Sequence, residues 1–401
     1  LSEAIEKRKH SNEQMALLFL DLDKFKHVND SLGHAAGDAL LKHVAQTLIS
    51  LVSARSIVAR QSGDEFMILI KEFSDIDELS HLSEEINAEL CKPIKLNNNL
   101  VQVSSSVGIS IFPNDATVAT ELIRKSDLAM IHAKQEGPGN FQFYTREMNE
   151  EAHQRLSLEN DLRTATDENK LINYYQPIVD SKDNSIVGTE LLLRWVNKGD
   201  FVSPGTFIPI AEEIGLIGKI TENAIEQALQ DYKKWHQNLP NKPYLSINLS
   251  AIHVMQEGLC ELLKSLLTKY DLPTSTLRLE ITEGSLIIDK KAALTRLNQL
   301  SKAGFKLLLD DFGTGYSSLT YLSQFPIDVI KIDRSFVFNI DQNEVNQSII
   351  NSIMALANNL NMATIAEGVE TKEELSFIQK SGCAMIQGYL FAKPMPINEL
   401  T

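Results

Sequence analysis

Phe305-Lys306-Leu307-Leu308-Leu309-Asp310-Asp311-Phe312-Gly313 is a short apolar run that ends in two adjacent carboxylates. It has the length of a buried strand, and a carboxylate beside such a strand is costly unless it is paired or metal-bound. Outward from it the design repeats. Residues 174–179, 188–195, 244–249, 277–282, 329–332, 362–366 and 384–388 read as seven further strands with helical stretches between them. Six of these carry Glu190, Asn248, Glu280, Lys331, Glu367 and Gln387. Eight strands alternating with helices predict a (β/α)8, TIM-type barrel, in which strand ends from distant parts of the chain meet at one mouth.

Five carboxylates meeting at a mouth require cations. Two hard divalent ions about 3.5–4 Å apart, bridged by a carboxylate, activate water and stabilise the entering and leaving oxygens of an in-line phosphoryl displacement. Asp310-Asp311 supplies the bridge, Asn248 a neutral oxygen and Lys331 a mobile cation for the transition state. Gly313 and Gly315 let the following loop turn tightly.

The first half has a different rhythm. A strand at 16–20 runs into Asp21-Leu22-Asp23. An amphipathic stretch over 38–52 follows, then a hairpin whose arms, 57–60 and 65–70, flank Gln61-Ser62-Gly63-Asp64. A helix near 76–90, a strand over 101–112, a helix over 118–134 and a short strand at 141–144 complete an α+β pattern around one mixed sheet. Residues 146–166 are charged, lack Gly and Pro, and place Leu156, Leu158 and Leu162 at roughly helical spacing. The expected organisation is a first domain over 1–147, a connecting helix over 148–168 acting as a rigid spacer, and the barrel over 169–401.

At 401 residues the chain has room for two cores. A formal charge of −15 argues against a nucleic acid polymer as partner, because that affinity rests on Lys and Arg neutralising phosphates. A small phosphorylated ligand held through metal ions fits. Cys91, Cys260 and Cys383 are far apart and lack metal-ligand spacing, which favours a reducing compartment, so cytoplasmic placement is expected. No run reaches the roughly 20 apolar residues of a spanning helix. The start without Met suggests a fragment, with a sensor domain or membrane anchor expected upstream.

Glu190-Leu191-Leu192-Leu193-Arg194-Trp195, Asn248-Leu249-Ser250, Glu280-Ile281-Thr282-Glu283, Asp310-Asp311-Phe312-Gly313-Thr314-Gly315, Lys331-Ile332-Asp333 and Gln387-Gly388-Tyr389 together resemble the EAL family of cyclic di-GMP phosphodiesterases, from about residue 171 to the C-terminus. The resemblance implies Mg2+ or Mn2+ as cofactor, two ions per site. Glu190, Asn248, Glu280 and Asp310 would hold one, and Asp310, Asp311 and Glu367 the other. It further implies that Lys331 orients the attacking water, Glu283 braces the loop after Asp311, and Gln176, Arg194 and Gln387 contact the dinucleotide. The product would be pGpG. Leu191 replaces the Ala that names the family, where a packing effect alone is expected. The rival reading is a receptor that binds cyclic di-GMP or GTP without catalysis.

Asp21 at a strand end and Asp64-Glu65 at a hairpin tip could converge on Mg2+ bound to a nucleoside triphosphate, with Lys26 and Lys134 against its phosphates. Asp21-Leu22-Asp23-Lys24-Phe25-Lys26, Asn29-Asp30-Ser31-Leu32-Gly33-His34, Gly37-Asp38 and Arg60-Gln61-Ser62-Gly63-Asp64-Glu65-Phe66 resemble the GGDEF family of diguanylate cyclases over about residues 1–144. The resemblance implies one or two metal ions held by Asp21, Asp64 and Glu65, guanine read by Asn29 and Asp38, and a homodimer, because cyclisation needs two GTP face to face. Three departures matter. Ser62 replaces the first Gly of the signature and Pro138 stands where a phosphate-binding Arg is usual, both of which weigh against turnover, while Ser53 and Ser56 replace the Arg and Asp of the product-inhibition site, so feedback by that route is expected to be absent. Cyclase, GTP-binding regulator and inert scaffold all remain open for this half. The histidines lack metal-ligand spacing. Trp235 reads as core, while Trp195 is open between core packing and base stacking.

Overall fold

The computed structural model describes residues 1–8, 13–53, 56–96, 99–236, 239, 242–286, 290–313, 322 and 324–400. Arg55, Thr314 and Gly315 lie outside them. The chain divides into two compact units, Leu1–Ser157 and Leu158–Thr401, and the division falls within one helix, Arg146–Asp167.

The first unit is built on strands β1 (Met15–Leu22), β2 (Ile57–Ser62), β3 (Glu65–Ile70), β4 (Ile94–Leu96), β5 (Asn99–Val101), β6 (Ser105–Phe112) and β7 (Phe141–Phe143). Five of them form a sheet in the order β2-β3-β1-β6-β7. β1 pairs antiparallel with both β3 and β6, while β7 joins β6 in parallel, which makes the sheet mixed. Central strand β1 is buried along nearly all its length, because its continuous apolar run has packed layers on both faces. Its core joins β1 residues Leu18 and Leu20 to Leu40 and Val44 of the helix His34–Leu51, and to Leu79 and Ile86 of the helix Ile76–Leu90.

The second unit contains β8 (Ile172–Asp180), β9 (Ile186–Asn197), β10 (Asp200–Val202), β11 (Tyr244–Asn248), β12 (Leu277–Thr282), β13 (Lys306–Phe312), β14 (Val329–Ile332), β15 (Ala363–Ala366) and β16 (Met385–Ile386). The order β9-β11-β12-β13-β14-β15-β16-β8 closes through β8–β9 pairing into an eight-stranded, TIM-type barrel, with β10 appended outside β9. One strand departs from the expected direction. β8 runs antiparallel to both its neighbours, β9 and β16. The short connection from β8 to β9 permits a hairpin but is too short for the crossover that parallel pairing needs.

Strand alternation splits the barrel's residues between two cores. Ile178, Tyr244, Leu308, Val329 and Ile365 fill the interior as an apolar floor. The intervening residues, such as Leu191, Ile247, Leu279 and Ile330, face outward against the surrounding helices. The last turns of Arg146–Asp167 join the second unit through Leu162 and Ala165, which pack with Trp195, Phe207 and Ile217. Among the described residues no helix is long and apolar enough to cross a membrane.

Candidate active site

Above the floor the interior face of the barrel turns polar, with Asp310, Lys331 and Glu367 each two residues beyond Leu308, Val329 and Ile365. Strand register brings these residues level: Gln176 lies opposite Glu190, Asn248 opposite Glu280, and Thr282 opposite Asp310. Lys331 stands at the centre, 1% exposed. Its Nζ lies 2.5 Å from Glu280, 2.7 Å from Glu367, 3.0 Å from Asp310 and 3.4 Å from Glu190. Asn248 Nδ2 and Gln387 Nε2 each donate to Glu190 at 2.7 Å, and Gln387 also donates to Gln176 Oε1 at 3.0 Å. Eight of the expected residues thus form one network.

Adjacent strand residues normally point to opposite faces, yet Asp310 and Asp311 are both used here. The β13–β14 pairing shifts register between Leu309 and Phe312, and Asp311 adopts a left-handed backbone, φ 53°. Such a bulge re-aims a side chain, and a non-glycine residue held at positive φ marks a strained position. As a result, ligand oxygens of Asp310, Asp311 and Glu367 lie within 4.8 Å of one another. Among the described residues no other trio of acidic, His or Cys ligand atoms is so grouped. Glu283 stands outside the network and accepts from the Gly313 amide at 3.0 Å, bracing the turn after Asp311. Gly313 has φ 100°, and a Cβ there would meet the Phe336 ring at 2.8 Å, so the turn requires glycine.

The charges are far from balanced, and the titration directions show it. Burial, then the charge of Glu190, pushes Glu280 well above the ordinary carboxyl range. Burial raises Glu367 to about 8 against the pull of Lys331. Asp311 is raised by burial, by Asp310 and by Asp333. Glu190 bears a large burial penalty too, but Lys331, Gln387 and Asn248 bring it net below its usual value. Lys331 is held well above the ordinary amine value, because the surrounding carboxylates overcome its own burial. Glu280 Oε1 is buried without a hydrogen bond. An acid-rich, oxygen-lined site with an orphaned buried oxygen has the chemistry of a hard-cation site.

Arg194 lies apart from the acids. Its guanidinium lies 5.5 Å from the Tyr174 ring centre, and Nη1 donates to the Leu193 carbonyl at 2.9 Å. Trp195 is 1% exposed and packs edge-to-face on Phe207, so it is core. Trp235 is anchored through its ring N–H to the Leu400 carbonyl. Tyr174 and Asp333 carry no role in the sequence reading. For Tyr174 the available signal was period two, since it precedes Gln176 by two residues on one strand face; Asp333 lies just past the end of β14.

The first unit groups its acids more loosely. Asp21 and Glu65 are direct cross-strand partners. Asp21 is paired with Lys134 at 2.7 Å, and burial raises its pKa despite that lysine. Asp21, Asp64, Lys26, Lys134 and Pro138 line one cavity of about 380 Å³. The Ser62 hydroxyl donates to Glu65 at 2.6 Å, a bond that glycine could not make. Asn29 and Asp38 do not line the cavity; the Asn29 carboxamide lies against Gly37, where a Cβ would sit 2.0 Å from its oxygen. Asp23 accepts from Ser104, Ser106 and the Gly139 amide, tying the loop after Lys134 to the sheet.

Residues 159–394 match the EAL domain family, and residues 1–140 match the diguanylate cyclase, GGDEF domain, family. The bifunctional diguanylate cyclase/cyclic di-GMP phosphodiesterase MucR of Pseudomonas aeruginosa is 37% identical over 401 residues, covering 100% of this chain and 58% of the relative. The cyclic di-GMP phosphodiesterase PdeR of Escherichia coli is 37% identical over 386 residues, covering 96% of this chain and 58% of PdeR. The chain therefore spans little more than half the length of these curated relatives. A solved MucR phosphodiesterase in complex with c-di-GMP superposes with a TM-score of 0.58 at 37% identity, covering 61% of this chain and 100% of that one.

Proposed function

Since the chain belongs to the EAL family of metal-dependent phosphodiesterases, with a GGDEF domain in tandem, we propose that its barrel hydrolyses cyclic di-GMP to pGpG. The supporting observation is the convergence of Glu190, Glu280, Asp310 and Glu367 on Lys331, with Asp311 drawn in by the bulge. Five carboxylates against one ammonium leave four negative charges, which two divalent ions would neutralise. Glu190, Asn248, Glu280 and Asp310 would hold one Mg2+ or Mn2+, and Asp310, Asp311 and Glu367 the other. Asn248 would serve through its carboxamide oxygen. Bound there, the ions would acidify a water and screen the phosphodiester.

The chain's own groups do the rest. Lys331, its proton held tightly by the surrounding acids, acts as a donor that orients the attacking water and meets charge developing on the phosphoryl oxygens. Water oxygen bonds to phosphorus, one P–O3′ bond breaks, and the leaving 3′-oxygen takes up a proton, which opens the ring to a linear dinucleotide. Gln176, Arg194 and Gln387 contact the substrate, while Glu283 keeps Asp311 in register by holding the Gly313 amide. The test is incubation of the chain with cyclic di-GMP and Mg2+ or Mn2+, followed by nucleotide separation. Appearance of pGpG is expected; binding without product would convert the reading to that of a receptor.

For the first unit the reading is a GTP-binding domain with weakened turnover, supported by the Lys134-lined cavity and by Ser62 engaging Glu65. Cyclisation there would need a homodimer. GTP as ligand would also fit placement in the cytoplasm.

A further inference from the structure

We propose that Tyr174 is a positioning residue for cyclic di-GMP recognition, its ring holding Arg194 at the barrel mouth, apart from the carboxylates. The inference rests on the phosphodiesterase reading of the same site. In the β8–β9 ladder Gln176 pairs with Glu190, Tyr174 with Leu192, and Ile172 with Arg194. Tyr174 therefore stands level with the position midway between Glu190 and Arg194, on the strand face that also carries Gln176. A half-buried guanidinium near an acid-rich mouth would be drawn toward the nearest carboxylate. Among the described residues Arg194 nevertheless has no carboxylate partner. Its contacts are the Tyr174 ring at 5.5 Å and the Leu193 carbonyl at 2.9 Å.

A guanidinium held over an aromatic face keeps at its edge the N–H donors that are not already engaged, here those other than the Nη1 bonded to the Leu193 carbonyl. Trp195, buried against Phe207, anchors the strand immediately after Arg194. The ring thus does two things: it separates the cation from Glu190, and it presents the cation's donors to a guanine edge or a phosphate of the dinucleotide. An aliphatic side chain of similar bulk would fill the space without holding the charge.

The test is equilibrium binding and steady-state hydrolysis of cyclic di-GMP by the full chain. Tyr174→Leu is expected to weaken binding about threefold to thirtyfold, the range of a partly desolvated cation–π contact, and to raise KM with kcat changed less than about twofold. Tyr174→Phe should bind like the unaltered chain. In an Arg194→Met background Tyr174→Leu should have no further effect, since it acts only through Arg194. Unchanged binding in Tyr174→Leu, or an equal loss in the Arg194→Met background, overturns the inference while leaving the reading of the site intact. Absence of any cyclic di-GMP binding by the unaltered chain overturns both.

Discussion

The two acidic sites of this chain differ in what holds their carboxylates. In the barrel, Glu190, Glu280, Asp310 and Lys331 are each at most 9% exposed, and strands on several sides fix every one of them. In the first unit, Asp64 and Glu65 stand at a hairpin tip, Ser62 donates to Glu65, and Lys134 pairs with Asp21 from a separate helix. Fold closure forces the barrel's acids together at a large electrostatic cost, and that commits the site to cations. The hairpin's acids are brought near a cavity but not into one cluster, so ligand has to finish the arrangement. Substitutions should therefore be felt in chemistry and folding in the barrel, and mainly in ligand affinity in the first unit.

Asp311→Asn should give the largest effect. The substitution keeps a side chain that tolerates left-handed backbone but removes a charge from the Asp310–Asp311–Glu367 group. Hydrolysis should drop by more than the roughly 10- to 100-fold typical of outer-shell partners. Retained hydrolysis in Asp311→Asn would break the two-ion assignment and erase the contrast between the sites.

Chelation comes next. EDTA should abolish hydrolysis and leave a barrel whose stability depends on pH. Glu367 is raised from an ordinary 4.5 to about 8, so its contribution is fully present below about 4.5 and is lost as pH rises through about 8. Glu280 shifts the same way. Glu190, shifted downward, contributes constantly above its ordinary value and does not oppose the trend. In EDTA the melting temperature of the second unit should fall from pH 6 to pH 8.5, and Mg2+ should restore more at pH 8.5. A flat profile would show that the acids are not forced together as described.

The first unit should respond more gently. Pro138→Arg places a donor beside the cavity shared by Lys134 and Asp21, and Mg2+-dependent GTP binding by the full chain should tighten about threefold to tenfold, as for one partly exposed charge-assisted bond. Ser62→Gly frees Glu65 and should tighten it about twofold to threefold. Cyclic di-GMP hydrolysis without GTP should stay unchanged in both. Calorimetric titration with GTP would show whether either departure matters.

Legibility in the sequence follows the same divide. The barrel mouth could be read because period-two strands must carry an alternating face, so Glu190, Asn248, Glu280, Asp310, Lys331, Glu367 and Gln387 announced themselves from separate strands. Two features could not be read from alternation. The use of both Asp310 and Asp311 depends on a bulge, and the direction of β8 depends on the length of its connection. The Ser62–Glu65 bond escaped because it depends on a side-chain rotamer that no spacing encodes. Tyr174 was missed although its spacing from Gln176 was available, because aromatic residues in strands read as core first.

Within the barrel, a substitution that should cost stability and spare activity is at Leu191, next to Glu190. Alternation turns it outward, and it packs, 7% exposed, with Tyr175, Ala224 and Ile247 between barrel and helices. Leu191→Ala restores the residue that names the family but here removes buried methyl groups from that packing layer. Such truncations cost about 2–5 kcal/mol, so chemical denaturation should show a loss in that range. The carboxylates across the strand keep their partners, and kcat should remain within about twofold. A large fall in kcat with little loss of stability would mean that the outer packing layer sets the position of Glu190, and the separation between the barrel's two faces would have to be abandoned.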